Sequence, residues 1–173
     1  MGLMRKLMMG CASDGVRTLV NTSEEHTSLQ PMDTPITMKV GASYSISWTG
    51  AMPTTSKYIY PFKVYGGYGV VSDMCDIKLR KSGSSIEIQA SFFDTNVAYI
   101  NLEWVETATL EQRIFINSSS VEDNIVYYDV KVEFYINGEI KRIMSGIRNS
   151  KDVGDGLRYY ENLAGTFVIK KLS

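Results

Sequence analysis

The chain has 173 residues, enough for one sizeable core and too short to argue for two domains without a visible linker. Its 44% hydrophobic and 21% charged residues exclude wholesale disorder, and a net charge of -1 with both signs interspersed excludes a broad basic face for nucleic acid. Eleven Tyr and six Phe, with many Val and Ile, favour pleated sheet over helix, and fourteen Gly against four Pro suggest many turns.

Residues 1–35 read as an extended arm. Leu3, Met4, Leu7 and Met8 are spaced for one short amphipathic turn. The apolar patch after Lys6 is far shorter than the roughly 7–15 residues of a signal-peptide core, so no signal peptide is expected. Gly2 lacks the Ser or Thr at position 6 that myristoylation favours. A Met-rich arm starting at Met1 is expected to pack on something, either its own domain or a neighbouring subunit. Residues 16–20 suit an edge strand, and the remainder to Pro35 is polar and turn-rich.

From Ile36 the pattern becomes alternation. Ile36, Met38 and Val40 share one strand face, Gly41-Ala42 turns the chain, and Tyr44, Ile46 and Trp48 share the next. Pro61 demotes the aromatic stretch 58–64 to an edge strand or an irregular segment. Gly66-Gly67-Tyr68-Gly69 lacks the strand, helix and Lys-Ser/Thr of a phosphate loop and reads as a bulge or turn.

Residues 75–81 and 85–93 form a hairpin around Ser82-Gly83-Ser84, with Ile77 and Leu79 on one strand's buried face and Ile86, Ile88, Ala90 and Phe92 on the other's. Residues 97–105 follow as a strand, then a short one at 113–117. In 125–136, Val130, Val132, Phe134 and Ile136 alternate inward, and Asn137-Gly138 signals a two-residue type I′ turn. That turn sets Tyr135 across from Ile140 and Glu133 across from Arg142. Residues 145–156 read as a polar loop and 166–172 as a closing strand.

These elements predict an all-β fold, an antiparallel β-sandwich of jelly-roll or immunoglobulin-like topology, with an N-terminal arm at 1–35 and the sandwich domain at 36–173. No apolar run approaches the roughly 20 residues that span a bilayer.

Catalytic and metal-binding patterns are sparse. The one histidine, His26, lies in a polar stretch with no CxxC or HxxxH spacing, and no cofactor or metal is implied. Cys11 and Cys75 read as free thiols rather than a disulfide framework. Of the carboxylate pairs Glu103 with Glu106 and Asp73 with Asp76, Glu103 falls on the wet face opposite Leu102 and Trp104, and Asp73 and Asp76 border a strand start, so neither reads as a converging pair. Asp152, Asp155 and Glu161 match no calcium-loop spacing. The sequons at Asn21 and Asn117 arise readily by chance in Ser/Thr-rich loops.

Two readings follow, both non-enzymatic. In the first, the chain is a structural subunit of an ordered assembly, a virion protein, whose Leu3, Met4, Leu7 and Met8 pack on a neighbouring protein subunit. In the second, it is a secreted or surface-anchored module that binds carbohydrate or a protein partner. Tyr58, Tyr60, Phe62, Tyr65 and Tyr68 crowd into one glycine-rich stretch, and surface Tyr supplies rigid amphipathic contact area for such binding.

Overall fold

The computed structural model describes residues 16–22, 30–66, 72–93, 96–150, 157–162 and 164–173. Twelve strands are described: β1 (Arg17–Thr22), β2 (Gln30–Ile36), β3 (Ser43–Ala51), β4 (Ile59–Gly66), β5 (Ser72–Ser82), β6 (Ser85–Phe92), β7 (Asn96–Glu103), β8 (Thr107–Glu122), β9 (Ile125–Ile136), β10 (Glu139–Asn149), β11 (Leu157–Asn162) and β12 (Thr166–Lys171). They pair antiparallel into two sheets, ordered β1-β12-β3-β8-β9-β10 and β2-β11-β4-β5-β6-β7. Consecutive strands change sheet repeatedly from β1 to β4 and again from β10 to β12, while β4 to β7 and β8 to β10 run as meanders. This nested connectivity is that of a jelly roll. The two described strands that begin within the arm's span of 1–35 enter the sandwich at its edges, β1 beside β12 and β2 beside β11.

Alternation places the core. Tyr44, Ile46 and Trp48 of β3 face Phe62 and Val64 of β4 across the interior, and all five are fully or almost fully buried. Phe62 and Phe167 bring one aromatic ring from each sheet to 5.7 Å, a tilted contact that joins the layers. Trp48 Nε1 donates to the Ala164 carbonyl at 2.9 Å, so the indole also fastens the turn into β12. That turn passes so close to the indole that a Cβ at Gly165, whose φ is +132°, would sit 2.7 Å from Trp48 Nε1.

Several expectations are corrected. The strand expected over Ile36, Met38 and Val40 ends at Ile36, and the chain then crosses between sheets with Met38 buried and Val40 exposed. The stretch 58–64 is no edge: β4 lies between β11 and β5. Pro61 is tolerated because the β4–β5 register breaks between Ile59 and Phe62, and the β4–β11 ladder ends at Phe62, so its missing N–H costs no ladder bond.

The strand at 113–117 is the middle of the 16-residue β8. Gln112 occupies an inward position and interrupts the apolar alternation that would have revealed the strand's full length. Residues 145–149 continue β10, an edge strand exposed along most of its length and therefore without a legible period. The sequence pattern predicts no strand where β11 forms.

The Asn137-Gly138 turn forms with φ of +52° and +82°, and Tyr135 does pair with Ile140. Glu133 instead pairs with Ile143, because the register shifts between Ile140 and Arg142. Asp123-Asn124, with φ of +50° and +62°, makes an equivalent left-handed turn between β8 and β9. Cys75 is buried in the core. His26, Cys11, Asp152 and Asp155 lie outside the described residues.

Candidate functional site

The strands β4 to β7 bury Phe62, Val64, Ile77, Leu79, Ile86, Ile88 and Ala98, so the period of two sends their polar residues to the outer face. Register turns these into rows. Lys63, Asp76, Ser91 and Val97 lie side by side across four strands. Lys78, Gln89 and Tyr99 form the next row, and Arg80, Glu87 and Asn101 the third. Tyr60 joins the first row, with Lys78 and Gln89 of the second, in lining a depression of about 240 Å³, floored by Asp76, Lys78, Gln89 and Ser91.

Cations and aromatic rings interleave on this face. Lys63 Nζ lies 4.6 Å from the Tyr60 ring centroid and donates to Tyr65 Oη at 3.1 Å. Lys78 Nζ lies 3.9 Å from the Tyr58 ring centroid and 5.9 Å from that of Tyr60. Arg80 covers Tyr58 at 4.7 Å and pairs with Glu87, whose hydrogen bond is the main cause holding the guanidinium pKa above its usual value. Ser91 Oγ donates to Asp76 Oδ1. Unlike Arg80, Lys78 is in no ion pair among the described residues, and its ammonium meets the tyrosine faces.

The floor is braced from behind. Gln112 of β8 is fully buried, and its Nε2 donates to the carbonyls of Asp76 at 3.3 Å and Ser91 at 3.4 Å. These two bonds cross the interior between the sheets and hold the row beneath the depression. Both acceptors are carbonyls, so the amide must present its nitrogen to them, and Oε1 is left without a partner among the described residues.

Of the residues singled out in the sequence, Tyr58, Tyr60 and Tyr65 come together here. Tyr58 is 40% exposed, whereas Tyr65 is nearly buried. Phe62, in the same stretch, is core. Tyr68 and the arm residues Leu3, Met4, Leu7 and Met8 lie outside the described residues. Asp76 lies in the first row of the face, Glu103 is exposed at the end of β7 opposite Ser85, and Glu106 is exposed beyond that strand. Sequence reasoning missed Lys63, Lys78, Gln89, Ser91 and Tyr99. Their signal was the polar half of the same alternation that revealed the core. Among the described residues no group of three or more His, Cys, Asp or Glu could hold a metal ion, and no helix is long and apolar enough to cross a membrane.

No family model matches the chain, and no curated protein does. Among solved structures it is similar to galectin LEC-6 of Caenorhabditis elegans, at 10% identity and a TM-score of 0.44 over 95% of this chain and 99% of that one. It is likewise similar to a heptameric SAP-like pentraxin of Limulus polyphemus, at 12% identity and a TM-score of 0.46 over 90% and 76%. The alginate lyase vAL-1 from Chlorella virus gives 11% identity and a TM-score of 0.43 over 78% and 70%. At these values the likeness is one of sandwich architecture, and the function rests on the site itself.

Proposed function

We propose that the chain is a non-enzymatic binding module that takes a saccharide on the outer face of β4 to β7. The observation that carries this reading is the depression beside Tyr60, where flat aromatic surface stands over a floor of Asp76, Lys78, Gln89 and Ser91. A sugar ring presents apolar C–H faces and equatorial hydroxyls. Tyrosine rings meet the first, and amide, hydroxyl, carboxylate and ammonium groups meet the second. Lys78, lacking a carboxylate of its own among the described residues, supplies a charge for an acidic sugar. The face's two central carboxylates are already engaged, Asp76 by Ser91 and Glu87 by Arg80, which suits holding a ligand better than proton transfer to it.

The test is binding to an array of neutral and uronate polysaccharides, followed by calorimetric titration of the best ligand. Lys78→Gln and Tyr60→Ala should each weaken binding by about tenfold or more, with the melting temperature of Lys78→Gln unchanged. If no polysaccharide binds the wild type at millimolar concentration, or both variants bind as well as it does, the proposal fails.

The second reading, a structural subunit of a virion or similar assembly, has support elsewhere. The far end of the β8–β9 hairpin exposes Val121, Ile125 and Val126, and the edge strand β10 exposes Ile140 and Ile143. Apolar side chains on a hairpin end and an unpaired strand edge suit contact with another subunit. Light scattering of the full chain beside a Val121→Ser/Ile125→Ser variant tests this reading: a particle that falls to monomer supports it, and a wild-type monomer removes its support.

A further inference from the structure

The alternation of β12 buries Phe167 and Ile169, so the same inner face continues to Lys171. Lys171 pairs on one side with Tyr44 of β3, which is buried, and on the other with Arg17 of β1. Two cations therefore stand directly across from each other on neighbouring strands, on the inner side of the sheet, where the sandwich opens. Like charges so placed repel and destabilise a sheet.

They line a cavity of about 380 Å³ at this mouth, and a third cation, Lys39, lines it from the segment that crosses between the sheets. That segment is fastened by Tyr44, whose hydroxyl accepts from the Lys39 backbone N–H at 3.1 Å and donates to the Thr37 carbonyl at 3.2 Å. Leu19 and Ile36 supply apolar wall. Among the described residues none of the three cations is in an ion pair.

We propose that this mouth is a binding site for a small organic oxyanion, a phosphate or carboxylate carried on an apolar body. The oxyanion sits between Arg17 and Lys171, with Lys39 as the third donor, and turns their mutual repulsion into attraction. Arg17 offers the two-pronged geometry that phosphate and carboxylate oxygens accept. The volume exceeds what a bare ion fills, and Leu19 and Ile36 give the remainder of the ligand a surface to cover. The site lies apart from the tyrosine-rich face and does not depend on the saccharide reading.

The probe is phenyl phosphate, titrated calorimetrically into the full chain, with inorganic phosphate and phenol as the charged and apolar halves. Phenyl phosphate should bind saturably and more tightly than either half. An Arg17→Gln/Lys171→Gln variant should lose about tenfold or more of that affinity, because charge-assisted bonds are removed. Lys78→Gln should bind phenyl phosphate as the wild type does. Without ligand, Lys171→Gln should melt at or above the wild-type temperature, since it relieves the repulsion; should the double variant fail to fold, Lys39→Gln carries the test with a several-fold loss. No saturable binding of phenyl phosphate, binding no tighter than that of phenol, or undiminished binding by whichever charge-removed variant folds would overturn the proposal.

Discussion

The two outer faces of the sandwich use the same residue types to opposite ends. On β3, β8 and β9, Glu111 accepts from Ser45 at 2.6 Å and from Arg113 at 2.8 Å, while Arg113 covers the Tyr135 ring at 4.1 Å. Tyr135 Oη donates to Glu133 at 2.7 Å, and Lys131 pairs with Glu133 at 3.0 Å while covering Phe115 at 4.1 Å. Each of these carboxylates has its cation, and the network closes on itself. On the face of β4 to β7, Tyr58, Tyr60 and Tyr65 also lie under cations, yet Lys78 has no carboxylate among the described residues, and a depression opens beside it. Charges spent on one another stabilise the sheet; a charge left over beside flat aromatic surface is available to a ligand.

The largest test of this contrast is Gln112, which belongs to one sheet and braces the floor of the other. Gln112→Ala should cost about 2–3 kcal/mol through lost inter-sheet bonds and a small cavity, read from urea unfolding at constant m-value. Gln112→Leu should stay within about 1 kcal/mol of wild type, since it fills the space and removes the unpartnered Oε1. Equal losses in the two would mean the brace is more than packing and should accompany weaker saccharide binding in both.

Next in size is Glu133→Gln, expected to cost about 1–2 kcal/mol because three neighbours lose a charged partner in a half-buried setting. Burial raises the Glu133 pKa, but hydrogen bonds from Tyr135 and Lys131 outweigh it, and the carboxyl titrates below its usual range. A lowered folded-state pKa contributes stability above the unfolded value of about 4.3, and that stability is lost as pH falls through the lower folded value. Glu133→Gln should therefore flatten the acid side of the stability profile. An unaltered acid limb would show that the pairing on this face is ornamental.

The smallest expected effect on stability is Lys78→Gln, within about 0.5 kcal/mol, because the ammonium has no ion pair among the described residues to lose. A larger loss would place Lys78 among the stabilising charges and erase the difference between the faces.

Much of the architecture follows from local pattern. Alternation at Tyr44, Ile46 and Trp48, at Ile77 and Leu79, and at Val130 to Ile136 assigned those side chains to a shared interior, because a strand's period sorts residues by face whatever its neighbours are. Asn137-Gly138 secured its hairpin because both residues tolerate positive φ. The period failed where the burial it reports was absent or mixed: β10 is exposed for most of its length, and Gln112 puts a polar group into an apolar row.

What no single strand could decide was adjacency. That Lys63, Asp76, Ser91 and Val97 form one row, that Tyr60 stands beside Gln89, and that Arg17 faces Lys171 across 154 positions of chain are consequences of register and strand order. Register at Glu133 changed with one bulge, which no count of alternating residues detects. Where the apolar repeat is unbroken, the sequence alone settled which residues face inward, since that depends on a pattern carried by each strand. Only the tertiary structure settled which outward residues meet, since that depends on hydrogen-bonded pairing between segments far apart in the chain.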